Sequence, residues 1–541
     1  MTQNLDISIL ANLVAQGRDR DGDRPSLTFV DESAGTVETR TMGQLYDNAL
    51  RLADWLLGKG MQPGDRFGVL LQNHPELVEG LVAASITGCV AVPIDPRTRG
   101  EKLSFMLRDS GCRGVLCADY NMAEVGAAAL GAALEWSLVL AEPDAELPKA
   151  LPDALPAPDW YATTQSGPMP AIEVRCTSGN DPLQILYTSG TTGDPKGIVK
   201  SNAQYAQVGL ALPGLVGLDA GDCLYSGLSL THGNAQFFTL AVSLASGIPA
   251  VFSRRFTRSR LWQTIRDHGC TMFTLLGGMT TAIFSMPSQP DDADNPVRFV
   301  LSAGMPAAIW RAFEKRFDLR LFEVYGAAEG GLFWNDGSGP LGSFGHLHNN
   351  PLHVGRIVNE DDEDCLPGET GELIWRNCDQ SEVSVEYVGK PKASAAKTAG
   401  GWFRTGDMVH CDAEGWLFFD YRKGGGIRHN GDFVNPGFVE KALAEHADIT
   451  DVFVYGVPAS SGVPGEKDVV AAIVVRDPAA LSTRSVFDLC RRQLESNFVP
   501  SYLQVVTEIP KTASEKPQER FLLEQFSLQA ENVFQEQNRR G

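Results

Sequence analysis

Apolar positions along the first 140 residues change between two spacings, one typical of helices and one typical of strands. Residues 42–60 place Leu45, Leu52 and Trp55 on one side of an amphipathic helix, and residues 75–87 predict a second helix. Short apolar runs bounded by turn residues predict strands at 67–71, 89–93, 114–117 and 137–140. This alternation is typical of an α/β domain with much parallel sheet.

The alternation resumes after a proline-rich connector and later gives way to strands. Residues 141–182 hold eight prolines and little periodicity, which predicts a connector rather than a packed element. Beyond it, strands are expected near 183–187, 222–227, 249–252, 272–276 and 298–302. After residue 350 short strands such as 371–375 and 415–419 dominate, which indicates a β-rich subdomain.

A run of three glycines, from Gly424 to Gly426, marks the predicted boundary between two domains. The pattern after it predicts helices at 437–446 and 484–496 and strands at 451–456, 469–475 and 503–507. A unit of about a hundred residues is long enough to have its own core. We therefore predict an α/β protein with domains at 1–422 and 423–541. The large N-terminal domain has two αβ subdomains plus a β-rich subdomain, and the small C-terminal domain is α+β.

The amino-acid composition limits the kinds of partner and the cellular compartment that are expected for the protein. Asp and Glu number 67 against 46 Lys and Arg, and the net charge of −21 disfavours nucleic acid or an anionic membrane as a partner. The ten cysteines form no CxxC pair and no zinc-like cluster, which is typical of a reducing compartment. No signal peptide is visible, and the longest uncharged apolar stretch, residues 81–94, is too short for a membrane span. A cytoplasmic location is therefore expected.

The most informative segment runs from Tyr187 to Gly197, with the sequence YTSGTTGDPKG, directly after a predicted strand. Backbone N–H groups made accessible by glycine, hydroxyl donors and the side chain of Lys196 can together form a cradle for phosphate oxygens. The spacing differs from that of a Walker A loop, because no Ser or Thr follows the lysine. A plain turn after a buried strand is the alternative interpretation.

Five further segments accompany this loop: residues 325–329 (YGAAE), 368–373 (GETGEL), 401–407 (GWFRTGD), 422–427 (RKGGGI) and 510–516 (PKTASEK). In this order they resemble the adenylate-forming superfamily of acyl- and aryl-CoA synthetases, firefly-type luciferases and peptide-synthetase adenylation domains. The resemblance covers essentially the whole chain. It implies a mobile C-terminal domain and a two-step reaction, in which a carboxylate and ATP give an acyl-adenylate and the acyl group then passes to a thiol.

The resemblance also implies which residues bind the nucleotide. The β- and γ-phosphates would be held by Thr188, Ser189, Gly190, Thr191, Thr192, Gly193 and Lys196. Tyr325, which is followed by Gly326 and Ala327, would stack on adenine. Asp407 would accept hydrogen bonds from the ribose hydroxyls, and Arg422 would reach the ribose or a phosphate.

Catalytic and structural roles are implied at five further positions. Glu329 would ligate Mg²⁺, and Lys516 would reach the α-phosphate and the attacking carboxylate. His232 would gate the acyl pocket, Gly304 would line the adenine and acyl sites, and Gly424 would be the hinge of the C-terminal domain. The implied ligands are ATP, Mg²⁺, coenzyme A and a small-molecule carboxylate.

Several positions depart from the superfamily pattern. Ala328 stands where relatives usually carry Thr, and glycine replaces a charged residue at Gly424. Glu515 takes the place of the glycine that usually precedes the catalytic lysine, so Lys511 competes with Lys516 for that role.

The acyl substrate and the acceptor stay open at this level. The segments 422–427 and 512–517 are loosely similar to those of carnitine or crotonobetaine CoA ligases, yet short, medium-chain and aromatic acids are equally compatible. The alternatives to a CoA synthetase are a stand-alone enzyme that loads a carrier protein and a nucleotide-binding homologue with little turnover. The oligomeric state is also open, a homodimer included.

Overall fold

Strands and helices alternate along most of the chain in the computed structural model, which describes residues 5–129, 131–141, 156–188, 195–423, 427–429, 432–434, 436–460, 467–494, 498–512, 515 and 517–536. The strands are β1 (Pro25–Asp31), β2 (Thr36–Thr41), β3 (Arg66–Leu70), β4 (Val90–Pro93), β5 (Cys112–Ala118), β6 (Trp136–Leu140), β7 (Asp159–Trp160), β8 (Pro182–Tyr187), β9 (Gly197–Ser201), β10 (Leu224–Ser226), β11 (Ala250–Ser253), β12 (Met272–Leu276), β13 (Phe299–Ala303), β14 (Arg320–Tyr325), β15 (Phe333–Asn335), β16 (Ser343–His346), β17 (His353–Val358), β18 (Gly371–Asn377), β19 (Phe403–Cys411), β20 (Trp416–Arg422), β21 (Ile427–His429), β22 (Asp432–Val434), β23 (Ile449–Pro458), β24 (Lys467–Val475), β25 (Tyr502–Val505) and β26 (Val533–Gln535). The α-helices are α1 (Leu10–Asp21), α2 (Met42–Gly58), α3 (Pro75–Thr87), α4 (Gly100–Ser110), α5 (Met122–Ala129), α6 (Tyr161–Thr164), α7 (Ala203–Val216), α8 (Ala241–Ser246), α9 (Leu261–His268), α10 (Gly277–Phe284), α11 (Trp310–Phe317), α12 (Pro391–Lys397), α13 (Pro436–Ala444), α14 (Thr483–Gln493) and α15 (Glu519–Gln525).

Two mixed sheets form the αβ part of the molecule. One has the order β15-β14-β13-β12-β10-β11-β1-β2, and the other has the order β7-β6-β5-β3-β4-β8-β9. In the first sheet only the edge strands β2 and β15 run antiparallel to their neighbours. In the second sheet β8 and β9 form an antiparallel pair, and the glycine-rich segment lies between these two strands.

The helices on these sheets begin and end where the sequence provides the signals. The N-terminus of α2 is a capping box, in which Thr41 Oγ1 accepts the N–H of Gln44 at 3.2 Å and the Gln44 side chain accepts the N–H of Thr41 at 3.0 Å. Helix α3 starts at Pro75 and ends before Gly88, whose φ of 74° is left-handed. Every residue of α3 is buried, because the helix packs against α1, α2, β4 and β8.

The remaining strands form a β-rich unit and a smaller C-terminal unit. Strands β16-β20-β19-β18-β17 make an antiparallel sheet. After the glycine run, β21 and β22 pair as a hairpin, and β23-β24-β25-β26 form a sheet whose core includes side chains of α13 and α14. No helix in the described ranges has the length and apolar character needed to cross a membrane.

The predicted α/β class, with a large N-terminal and a smaller C-terminal domain, is confirmed. The helix expected at 42–60 is α2, and the strand expected at 272–276 is β12 with the same bounds. The domain boundary after residue 422 stays a prediction, because the three glycines from 424 to 426 lie outside the described ranges.

The prediction that residues 141–182 form a connector rather than a packed element is wrong in part. Strand β7 extends the edge of the second sheet beside β6, and Tyr161 opens the short helix α6. Tyr161 is buried in the main core and its hydroxyl donates a hydrogen bond to the carboxylate of Glu79 in α3. A partner so distant in sequence leaves no local pattern. Residues 142–155 lie outside the described ranges.

Helices α7 and α8 approach each other so closely that a side chain at Gly209 of α7 would overlap the backbone of α8. A Cβ on Gly209 would stand 2.2 Å from the backbone oxygen of Ala241, whereas a Cβ on Gly214 of the same helix would have no heavy atom within 4 Å. We expect Gly209→Ala to destabilise the fold by about 1–3 kcal/mol through overpacking. Gly214→Ala, the matched control, should stabilise it by about 0.5–1 kcal/mol through lower backbone entropy of the unfolded chain. Thermal unfolding of both variants tests this, and a Gly209→Ala midpoint at or above the wild-type value would contradict it.

Candidate active site

The segments that follow several strands open into one cleft. Strands β12, β13 and β14 end at Leu276, Ala303 and Tyr325, and the residues after each of them line a cavity of about 3670 Å³. Residues of β19 and β20 and the two ends of the glycine-rich segment line the same cavity. Ligands of open α/β sheets bind beyond the carboxyl ends of the strands, so this cleft is the candidate active site.

Glu329 lies in a tight turn after β14. The backbone N–H and carbonyl groups of Ala327 and Gly330 bond to each other in both directions, at 3.3 and 3.0 Å, which fixes the turn around Glu329. Glu329 Oε1 accepts a hydrogen bond of 2.7 Å from the hydroxyl of Tyr387. The backbone oxygen of Glu329 accepts a second one, of 3.0 Å, from Nζ of Lys200.

These neighbours keep the carboxyl group of Glu329 ionised. Burial would raise its pKa, but the hydrogen bond from Tyr387 and the charges of Lys397 and Arg422 outweigh burial and hold the pKa below its usual value. Such a carboxylate suits Mg²⁺, which takes one or two carboxylate oxygens and completes its shell with phosphate and water oxygens. The described ranges contain no cluster of three or more Asp, Glu, His or Cys placed to hold a metal ion.

A second linked group joins the end of β14 to the middle of β19. The hydroxyl of Tyr325 donates a hydrogen bond of 2.6 Å to Oδ2 of Asp407, and the Tyr325 ring lies 4.6 Å from that of Phe344, centroid to centroid. Asp407 pairs in register with Arg422 of β20, and Arg422 Nη1 lies 3.6 Å from Asp407 Oδ1. The residues expected at adenine and at the ribose are thus brought together, while their roles toward a nucleotide stay predictions.

The end of β13 shows why glycine is needed at Gly304. Its φ is +88°, and a Cβ on neighbouring Gly277 would stand 2.3 Å from the backbone oxygen of Gly304. The N–H groups of Gly304 and Met305 donate to the buried carboxyl of Glu323 at 2.6 and 2.9 Å. Burial raises the pKa of Glu323 to about 8, against the opposing effect of these hydrogen bonds. Gly304 therefore presents bare backbone to the cleft, as does Gly326, and Ala327 lines the same cavity.

The two ends of the glycine-rich segment are bonded to each other. The N–H of Thr188 donates to the backbone oxygen of Lys196 at 3.0 Å, and the N–H of Lys196 lies 3.4 Å from Oγ1 of Thr188. The expected phosphate-binding residues between them fall outside the described ranges: Ser189, Gly190, Thr191, Thr192 and Gly193. Their role therefore stays a prediction.

His232 lines the same cleft, in the loop after β10. Its Nδ1 accepts the N–H of Asn234 at 3.2 Å, and the chain then enters a π-helix over Ala235–Leu240. π-Helical turns are rare and frequently lie at functional sites. The gating role of His232 stays a prediction.

Three residues at this site were not singled out from the sequence: Lys200, Tyr387 and Lys397. Lys200 is 3% exposed, and burial lowers its pKa to about 8 against the opposing charge of Glu329. Lys397 ends α12, and its Nζ donates to the backbone oxygen of Thr405 at 3.0 Å. The one local signal is Lys200 itself, a lysine that directly follows Ile198 and Val199 in the short strand β9.

The competing lysines of the C-terminal domain are only partly described. Lys511 Nζ lies 2.5 Å from Oδ2 of Asp451, so Lys511 has an ion-pair partner in its own domain. Lys516 and Gly424 lie outside the described ranges, and their assigned roles stay predictions.

Comparison with known proteins settles the family. Residues 14–382 match the AMP-binding enzyme family, and residues 439–516 match the AMP-binding enzyme C-terminal domain. The chain belongs to the AMP-binding enzyme family. The resemblance to the adenylate-forming superfamily is thereby confirmed.

Relatives of this AMP-binding enzyme include several acyl-CoA ligases. A medium/long-chain-fatty-acid–CoA ligase of Mycobacterium tuberculosis is 30% identical over 455 residues, which are 83% of this chain and 84% of that protein. A steroid-22-oyl-CoA synthetase of Rhodococcus jostii is 28% identical over 516 residues, 90% of this chain and 88% of that protein. A benzoate CoA ligase from Burkholderia xenovorans shares the fold, with a TM-score of 0.81 at 21% identity over 95% of this chain and 99% of that one. The fatty-acid and steroid relatives support adenylate-forming acyl-CoA synthetase activity.

If Glu329 is the magnesium ligand, removing its charge should change the metal requirement. We expect Glu329→Gln to raise the Mg²⁺ concentration for half-maximal pyrophosphate release by roughly 10–100-fold, because a carboxylate ligand becomes a neutral amide. A Mg²⁺ titration at fixed ATP measures this. Glu414→Gln, in an exposed turn after β19, is the matched control and should leave the titration unchanged. Equal magnesium dependence in both variants would place the metal elsewhere.

Proposed function

We propose that this AMP-binding enzyme is an ATP-dependent acyl-CoA synthetase. The observation that carries the proposal is that Glu329 and Asp407 line one cleft, beside Thr188 and Lys196 at the ends of the glycine-rich segment. Tyr325 is linked to this cleft by its hydrogen bond to Asp407. Glu329, after β14, and Asp407, within β19, thus provide separate groups for the triphosphate and the nucleoside of ATP. The names of the fatty-acid and steroid relatives support the same reaction class.

In the first half-reaction an oxygen of the substrate carboxylate attacks the α-phosphorus of ATP. The bond from that phosphorus to the bridging oxygen breaks, pyrophosphate leaves and acyl-AMP is formed. Positioning and charge neutralisation supply most of the catalysis in such transfers. Glu329 would hold Mg²⁺, which neutralises phosphate charge when bound, and Lys196 would hold the leaving phosphates. Asp407 would fix the ribose, and Tyr325 the adenine.

In the second half-reaction the sulfur of coenzyme A attacks the acyl carbon. The bond from that carbon to the phosphate oxygen breaks, AMP leaves, and the thiol proton is released. We infer that the C-terminal domain, residues 423–541, turns about Gly424 between the two steps, and that Lys516 acts in the first step alone. The resemblance to the superfamily supports both inferences.

The cavity beyond the nucleotide groups favours an apolar acid. Half-buried apolar side chains that pack on the main core also line this cavity: Val208 and Leu215 of α7, Phe237 and Phe238 of the π-helix, and Phe284 of α10. Sites of this composition take apolar ligands with few polar contacts. We therefore propose an acid with an alkyl chain or an apolar ring system, in preference to a quaternary ammonium acid such as crotonobetaine.

The identity of the acyl acceptor, coenzyme A or a carrier protein, distinguishes the proposed function from its alternatives. Pyrophosphate release is measured with octanoate, a steroid carboxylic acid, benzoate and crotonobetaine, each with coenzyme A or a holo-carrier protein, and products are identified by mass spectrometry. We expect acyl-CoA and AMP from the apolar acids. A thioester on the carrier protein alone would favour a carrier-loading enzyme, and no pyrophosphate with any acid would favour a homologue with little turnover. Light scattering would determine the oligomeric state, and cell fractionation would test the expected cytoplasmic location.

The two half-reactions also separate the competing lysines. We expect Lys516→Ala to slow acyl-adenylate formation by roughly 100-fold or more, because it removes a charge expected at the reacting phosphate. Thioester formation from preformed acyl-AMP should stay near the wild-type rate. Lys511→Ala should weaken only the ion pair with Asp451, worth about 0–1 kcal/mol. Loss of adenylation in Lys511→Ala, with an active Lys516→Ala, would reverse the assignment.

A further inference from the structure

The carboxylate of Glu329 is held by a residue far from it in sequence. Tyr387, just before α12, donates its hydroxyl to Glu329 Oε1 at 2.7 Å, and Tyr387 is 5% exposed. A carboxylate offers about four lone-pair sites, so one phenol hydroxyl leaves acceptor capacity for a cation. The hydrogen bond from Tyr387 therefore orients the Glu329 carboxylate and leaves other lone pairs of that carboxylate for a cation.

The backbone of Tyr387 is fixed against β9. Ile198 and Tyr387 form an antiparallel bridge, and the N–H of Val388 donates to the backbone oxygen of Gly197 at 2.9 Å. The N–H of Tyr387 itself donates to Oγ of Ser394 at 2.9 Å. The ring therefore stands beside the strand that begins directly after Lys196.

Two lysines, Lys196 and Lys200, contact Tyr387 and Glu329 respectively. Nζ of Lys196 lies 5.4 Å from the centroid of the Tyr387 ring, a cation–π contact. Lys200 lies within β9, four residues after Lys196, and its Nζ donates a hydrogen bond of 3.0 Å to the backbone oxygen of Glu329. One aromatic ring thus touches both the carboxylate expected to hold Mg²⁺ and the lysine expected at the β- and γ-phosphates.

We propose that Tyr387 is a positioning residue for adenylation, whose hydroxyl orients Glu329 and whose ring supports Lys196. The proposal rests on the proposed function, since it assumes that ATP binds in this cleft with its triphosphate toward Glu329. Tyr387 acts through these two side chains and touches no reacting atom. Its effect should therefore appear in the magnesium dependence of ATP binding and not in the binding of the nucleoside part.

The test is calorimetric titration of ATP at several Mg²⁺ concentrations, without a carboxylate so that no turnover occurs. Tyr387→Phe keeps the ring and removes the hydroxyl, and we expect it to raise the Mg²⁺ concentration for half-maximal ATP affinity about tenfold, the size of a lost hydrogen bond to a charged group. Tyr387→Leu, which also removes the ring, should weaken ATP binding further even at saturating Mg²⁺. AMP, which lacks the β- and γ-phosphates, should bind all variants equally.

Two controls separate positioning from a structural effect. Tyr225→Phe removes another buried phenol hydroxyl, hydrogen-bonded to Ser253 at 2.8 Å in the core, and should leave the magnesium dependence unchanged. In a Glu329→Gln background the magnesium effect of Tyr387→Phe should disappear, because its target is already lost. Ser394→Ala, which removes the hydroxyl that holds the Tyr387 N–H, should shift the magnesium dependence in the same direction by a smaller factor.

Three outcomes would overturn the proposal. The first is a Tyr387→Phe protein with wild-type magnesium dependence, and the second is an equal loss of ATP and AMP affinity, which indicates a purely structural role. The third is full additivity with Glu329→Gln. Failure of the proposed function looks different, because the wild-type protein would then bind no ATP or release no pyrophosphate with any acid.

Discussion

The ionised carboxylate of Glu329, half-buried in the turn after β14, is the constraint on which the candidate site depends. The chain carries a net charge of −21, so its overall field opposes both this carboxylate and an anionic nucleotide. The compensation is local: the Tyr387 hydroxyl and the charges of Lys397 and Arg422 hold Glu329 in its charged form. A buried charge is tolerated only where such partners are already in place. The fold brings Tyr387, Lys397 and Arg422 to Glu329 from positions that are distant in the sequence.

The ends of β12 and β13 form another wall of the cleft, and two glycines make their close approach possible. Any side chain at Gly277 would collide with the backbone oxygen of Gly304, so the ends of β12 and β13 can meet only as bare backbone. Glu323 then fixes the turn after β13 by accepting the backbone N–H groups of Gly304 and Met305. The antiparallel sheet brings Asp407 and Arg422 to the other side through simple register pairing.

Local patterns in the sequence predicted most of the elements and the family motifs. Helix α2 has a strong helical period and a capping box, and β12 is a short apolar run between turns, so both follow from neighbouring residues alone. The contacts that complete the site do not. Tyr387 is 58 residues from Glu329, and Lys200 is 129 residues from it. The burial of Tyr161 against Glu79, 82 residues away, was missed for the same reason. Side-chain pairing over such distances depends on the folded topology, which no spacing rule encodes.

The bridge between Ile198 and Tyr387 has a consequence for how the large domain unfolds. Because β9 belongs to the second αβ sheet and residue 387 leads toward the strands of the β-rich unit, this bridge joins two layers that otherwise have separate cores. A ligand in the cleft would touch residues of both layers and of β14 in the first sheet. The ligand would stabilise the native state by mass action. Because it contacts all three layers, this stabilisation would require all three layers to be folded. The domain should therefore melt more cooperatively with nucleotide than without it, as a single unit rather than sheet by sheet.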